Sequence, residues 1–133
     1  MQPGTAHDLR TGFDFDQEAD RQRARVTIDR EKALLLVGSP MRAPFSILQQ
    51  LNLRNPRLED AVRRGLQHLY FCIEQYYKQI EEGRLFLHEH PATATSRRVE
   101  AMEELAARDD VHMITTDQCA FGLWARDSLG WHL

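Results

Sequence analysis

Ala33-Leu34-Leu35-Leu36-Val37-Gly38-Ser39-Pro40-Met41-Arg42-Ala43-Pro44-Phe45-Ser46 is the stretch on which the reading of this chain turns. Five apolar residues in a row, rich in Leu and Val and stopped by Gly-Ser-Pro, predict a short strand buried on both faces. Such strands belong to parallel sheets covered by helices. The two-proline loop that follows leads into Ile47-Leu48-Gln49-Gln50-Leu51, which reads as a helix start. Loops leaving the carboxyl ends of parallel strands are where open α/β sheets place their chemistry. A site in this protein is therefore expected here.

Working outward, Asn52 to Pro56 ends that first helix, because proline cannot continue it. A long helix is predicted from Arg57 to Glu82. Leu58, Val62, Leu66, Leu69, Ile73, Tyr76 and Ile80 recur at three- and four-residue intervals along it and share one face. Gly83 supplies its left-handed stop, and Cys72 within the stripe reads as a buried structural thiol. A second buried strand follows in Arg84 to Pro91. Ser96 is placed to cap a helix over 97–107, with Val99, Met102 and Leu105 inward. A third strand is expected at Val111 to Thr115, with its exit loop at Asp117 to Gly122. Upstream, His7 to Phe15 reads as an edge strand or extended segment. Asp16 to Lys32 reads as a surface helix with a thin stripe of Ala19, Ala24, Val26 and Ile28. Its arginines alternate with acids as a solvated face.

Strands alternating with helices imply βαβ crossovers. The expected fold is α/β and Rossmann-like, with a short, mostly parallel sheet of about three to four strands flanked by helices. One domain spans 1–133, with a frayed N-terminus (1–6) and an irregular tail (123–133). The formal charge of −3 offers no polybasic signal for a phosphate backbone. Two cysteines are too few for a disulfide scaffold. With no membrane-length apolar run and no signal-peptide pattern, the expectation is a soluble intracellular protein, cytoplasmic or nuclear.

Gly38-Ser39-Pro40-Met41-Arg42-Ala43-Pro44-Phe45-Ser46 resembles the catalytic loop of the DNA cytosine-5 methyltransferases, Gly-x-Pro-Pro-Cys-x-x-Phe-Ser. Gly38, Pro40, Phe45 and Ser46 match; Met41 stands at the second proline and Arg42 at the nucleophilic cysteine. The layout is also similar to uncharacterised retroelement-linked open reading frames with a Ser-Pro-x-Cys-x-x-Phe-Ser loop. Glu89, at the end of the next strand, matches the glutamate of the family's Glu-Asn-Val motif, here Glu89-His90-Pro91. Asp8 and Leu9 match an Asp-Ile pair beside the cofactor, and Phe121, Gly122 and Arg126 match a later aromatic-Gly and arginine segment.

The resemblance implies catalytic positions at Glu89, Arg42 and Ser46. It implies cofactor contacts at Asp8, Gly38 and Pro40, and substrate contacts at Phe45 and Arg126. S-adenosylmethionine is the cofactor it implies, and DNA or a nucleotide the partner. The chain carries no Gly-x-Gly loop for that cofactor, and a guanidinium cannot form the family's covalent adduct. The expectation is thus the middle of a methyltransferase-like domain, inactive as it stands and without a resident cofactor.

Two other readings of the residues stay open. Glu89 could serve as acid or base in different chemistry, assisted by His88 or His90. Alternatively, the chain could be an interaction module, because an incomplete sheet leaves apolar surface for a homo-oligomer or another protein. His88 and His90 could also share a metal with His112 or Cys119, or be satisfied strand-end histidines, the commoner case.

Overall fold

The structure, a computed structural model, describes residues 2–45, 56–122, 125–127 and 130–132. The helix start expected at 47–51 and Ser46 lie outside them. In chain order the elements are α1 (Glu18–Glu31), β1 (Leu35–Gly38), α2 (Pro56–Glu81), β2 (Leu85–His88), α3 (Glu100–Ala106), β3 (Ala125–Asp127) and β4 (Gly130–His132). The class is mixed helix and strand.

α2 organises the packing. Its apolar stripe buries Leu69, Ile73 and Tyr76, which join Phe45, Ala94 and Leu105 in the main core. Leu69 and Tyr76 are fully buried. Gly83, at φ +68, ends the element as expected. The chain then turns back as β2, which pairs in parallel with β1, Leu35 opposite Leu85 and Gly38 opposite His88.

This sheet departs from the expectation in two ways. Among the described residues it has two strands and is covered on one face. Leu36 and Phe86 pack toward α2, whereas Leu35, Val37, Leu85 and Leu87 are 37%, 58%, 59% and 53% exposed. A run of apolar residues is compatible with burial on both faces, but burial requires a second layer to cover it.

The third strand expected at Val111 to Thr115 is not a strand: only Val111 packs on the core, and Ile114 is 81% exposed. β3 and β4 instead form an antiparallel hairpin inside the tail expected to be irregular, Arg126 opposite Trp131.

The N-terminal expectation is corrected as well. Leu9–Thr11 form a 3-10 turn rather than an extended strand. Asp8 caps it with its carboxylate on the Thr11 amide at 2.9 Å, and the Thr11 hydroxyl returns to the Asp8 amide at 3.0 Å. Local side-chain bonds of this kind compete with strand pairing. Phe13 and Phe15 then pack against Phe71 of α2.

α1 buries Arg21, Ala24 and Thr27, while Val26 is 56% exposed. The solvated-face reading therefore fails for Arg21, whose guanidinium is held by Glu18 and the Phe15 carbonyl. Arg25 also reaches across to α2, with both Glu74 oxygens at 2.8 and 2.9 Å.

α3 opens at Val99 rather than on a Ser96 cap. Ser96 lies in a preceding 3-10 turn and is fully buried.

Candidate functional site at the sheet's carboxyl edge

β1 and β2 run in parallel, so their carboxyl ends open at the same edge. The ladder continues one residue past β2, where the Glu89 amide donates to the Gly38 carbonyl at 2.9 Å. This bond sets Glu89 beside the loop leaving β1. Ser39 Oγ donates to Glu89 Oε2 at 2.8 Å, and Arg42 Nη2 donates to the same oxygen at 3.1 Å. The Arg42 and Glu89 side chains are 55% and 37% exposed, so the pair stays open to solvent. Among the described residues Glu89 Oε1 accepts no hydrogen bond.

The loop is pinned from below. Phe45 is 4% exposed, and its carbonyl accepts from Thr95 Oγ1 at 3.1 Å. Pro44 lies over Gly65 of α2, where a Cβ would come within 2.7 Å of the ring. Phe45, expected to touch substrate, is thus a core residue anchoring the loop. Pro40 is buried too.

The histidines face inward, on the side of the strand away from Glu89. The Tyr76 hydroxyl lies 2.9 Å from His88 Nδ1. Burial raises the phenol's pKa, so Tyr76 keeps its proton and shares this hydrogen bond with the neutral imidazole. Burial also pushes the His88 imidazolium down to about 4. His90 is lowered by burial as well and sits beside the Pro40 and Met41 carbonyls. Its Nδ1 meets Ser96 Oγ at 2.5 Å. Both imidazoles are neutral near pH 7 and lie on the face of the strand away from Glu89; each Nδ1 has a partner, whereas His90 Nε2 is buried without one among the described residues. Among the described residues no group of three or more His, Cys, Asp or Glu is arranged to hold a metal. His112 is exposed on the segment after α3.

The positions implied for S-adenosylmethionine do come together: Asp8, Gly38 and Pro40 line one cavity of about 870 Å³ between the N-terminal segment, β1 and α2. Each has other work, however. The Asp8 carboxylate caps the 3-10 turn. Gly38 lacks a side chain because Tyr76 Oη stands 1.8 Å from where a Cβ would be. That close approach explains the glycine without a ligand. These residues do not fit the cofactor's needs. Cys72 also lines the cavity; burial pushes its thiol up to about 11, making it a poor nucleophile. Arg126 lies in β3, opposite Trp131.

Sequence reasoning did not single out two contributors, Ser39 and Tyr76. Ser39 carried one usable signal, its place directly after a strand at a sheet's carboxyl edge. Tyr76 read only as part of a core stripe. No family model, curated protein or solved structure matches the chain.

Proposed function

We propose that this chain is a non-catalytic, methyltransferase-like α/β domain that binds the amino-bearing edge of a nucleobase, cytosine first, at the carboxyl edge of its parallel sheet. The observation that carries the reading is the Ser39–Glu89–Arg42 cluster. One carboxylate oxygen is held by the hydroxyl and the guanidinium, while the other is open beside a half-exposed arginine. An exocyclic amino group donates to the open oxygen, and the adjacent ring nitrogen or carbonyl accepts from the guanidinium. Charge-assisted bonds of this kind are the stronger ones, and Arg forms them in a planar geometry suited to a base edge.

Arg42 occupies the position of the family's cysteine and offers no nucleophile, so the reading is binding without turnover. His88 and His90 are given no acid or base role in this reading, because they lie on the face of the strand away from Glu89, toward Tyr76 and Ser96. The finer fold assignment, an incomplete Rossmann-like methyltransferase sheet, rests on the crossover from β1 through α2 to β2 and on the sequence resemblance.

Calorimetric titration with cytidine monophosphate tests it. Saturable binding is expected, at least tenfold weaker for thymidine monophosphate, which lacks the amino group, and for Glu89→Gln. Equal affinity for the two nucleotides, or no binding to folded protein, overturns the reading. So does an Arg42→Cys variant that traps 5-fluorocytosine DNA when S-adenosylmethionine is supplied, since the domain would then retain catalytic machinery.

A further inference from the structure

A second feature, independent of the Glu89 cluster, is the cavity of about 870 Å³ along the outer edge of β1. The N-terminal segment walls its far side, and α2 contributes Phe71, Cys72 and Gln75. Cavities of this size hold small ligands. Phe13, Phe15 and Phe71 supply an aromatic wall, with centroids 6.4 Å apart from Phe13 to Phe15 and 5.0 Å from Phe15 to Phe71.

The polar groups left free around it are few and neutral. In a parallel ladder alternate residues bond to alternate sides. The Leu85 amide donates to the Leu34 carbonyl at 2.8 Å and the Glu89 amide to the Gly38 carbonyl at 2.9 Å. With Leu35 opposite Leu85, the amides and carbonyls of Leu35 and Val37 therefore point away from β2, toward the cavity. Among the described residues they take no hydrogen bond. Gln75 is 2% exposed. Its amide nitrogen donates to Glu74 Oε1 at 2.9 Å, whereas its own Oε1 is buried without a donor. A buried carbonyl left unpaired costs stability, and a ligand N–H would supply what it lacks.

Charges on the walls are already engaged. The Asp8 carboxylate caps the 3-10 turn, Asp14 accepts from the Asp16 amide, Asp16 meets His68, and Glu31 accepts from the Thr5 amide. Arg10, the one arginine or lysine among the lining residues, is exposed. His7 Nε2 is buried without a partner, and burial lowers this imidazole's pKa, so it is neutral near pH 7. An ion of either sign finds no free counter-charge inside. Free carbonyl acceptors number three, at Leu35, Val37 and Gln75, against two backbone donors at Leu35 and Val37.

We infer that this cavity binds a flat, neutral aromatic carboxamide, seated edge-on to β1 with its ring against the phenylalanines. A primary carboxamide carries two N–H donors and one C=O acceptor, which matches the excess of acceptors on the walls. One N–H donates to the Leu35 carbonyl, the ligand carbonyl accepts from the Val37 amide, and the second N–H meets Gln75 Oε1. The ring packs on the aromatic wall in stacked or edge-on contact.

Titration of naphthalene-2-carboxamide into the intact, isotope-labelled chain, followed by NMR, tests the inference. Saturable shifts are expected at the backbone amides of Leu35 and Val37 and at the Gln75 side-chain amide. Methyl 2-naphthoate has nearly the same shape but no donor and should bind at least tenfold more weakly. Gln75→Leu should also weaken the carboxamide at least tenfold while the melting temperature holds or rises, since an unpaired carbonyl is removed. No saturable shift at Leu35 and Val37 in folded wild type overturns the inference. Equal affinity for the ester overturns it too, because the cavity then takes up apolar rings without reading the amide. Unchanged affinity in a folded Gln75→Leu protein has the same force, and the two-ligand comparison on wild type decides if that variant does not fold. Glu89 enters none of these readouts, so failure here leaves the nucleobase reading standing, and the reverse also holds.

Discussion

Gly38→Ala is the sharpest perturbation of the region that joins fold and site. The added Cβ would stand 1.8 Å from Tyr76 Oη, 2.8 Å from Cζ and 3.0 Å from Cε1. Tyr76 has nowhere to go: it is fully buried and stacked on Phe86 at 4.5 Å between ring centroids. Forcing it aside costs about 1–3 kcal/mol of overpacking. Displacing its hydroxyl from His88 Nδ1, 2.9 Å away, leaves a buried polar atom unmet, for roughly another 1–3 kcal/mol. The expected loss is thus about 2–6 kcal/mol, a large share of a typical domain's stability. Urea unfolding followed by circular dichroism reads it as a midpoint lowered by roughly 1–3 M at unchanged m. Adding Tyr76→Phe removes the atom in worst conflict, so the double variant should be more stable than the two single losses predict by about 1 kcal/mol or more. A Gly38→Ala protein within about 0.5 kcal/mol of wild type, or strictly additive losses, would refute the claim that Tyr76 dictates the glycine.

Four further outcomes are expected. Gly65→Ala should destabilise by about 1–3 kcal/mol through the Pro44 and Phe45 clash, despite a helix-propensity gain near 1 kcal/mol; a more stable variant in thermal melts would show that the loop yields. His88 is depressed from 6.5 to about 4, so its neutral form stabilises the fold in full above pH 6.5. That stability is lost as pH falls from 6.5 toward 4, by up to about 3 kcal/mol. His88→Gln should flatten this part of the stability-versus-pH curve, and an unchanged slope counts against the assignment. Arg25→Ala, which breaks the largely solvent-screened pair to Glu74, should cost no more than about 1 kcal/mol and less in high salt; a salt-independent loss would point to packing instead. In a Cys119→Ser background, the raised thiol of Cys72 on the cavity wall should react with a disulfide reagent at least tenfold more slowly than in urea-unfolded protein at the same pH, and equal rates contradict that.

The sequence by itself determined α2 and the two parallel strands. The spacing of Leu58 through Ile80 is a property of one segment, and Gly83 ends that segment by its own backbone freedom. Leu35–Gly38 and Leu85–His88 likewise announce themselves as short apolar runs stopped by turn formers. The position of Glu89 at a strand end was legible for the same reason.

What surrounds each segment was decided only in three dimensions. Asp8 and Thr11 cap one another and turn the expected N-terminal strand into a 3-10 turn. Val111 to Thr115 has strand composition but finds no partner strand among the described residues. Leu35 and Val37 look like two-sided core and lie bare, because among the described residues no layer covers the sheet face away from α2. Ser39 reaches Glu89 across fifty positions, and Gly38 is a glycine on account of Tyr76. Local pattern specifies a backbone's own preference, whereas burial, strand pairing and close approach are relations between distant segments, and those exist only once the chain has packed.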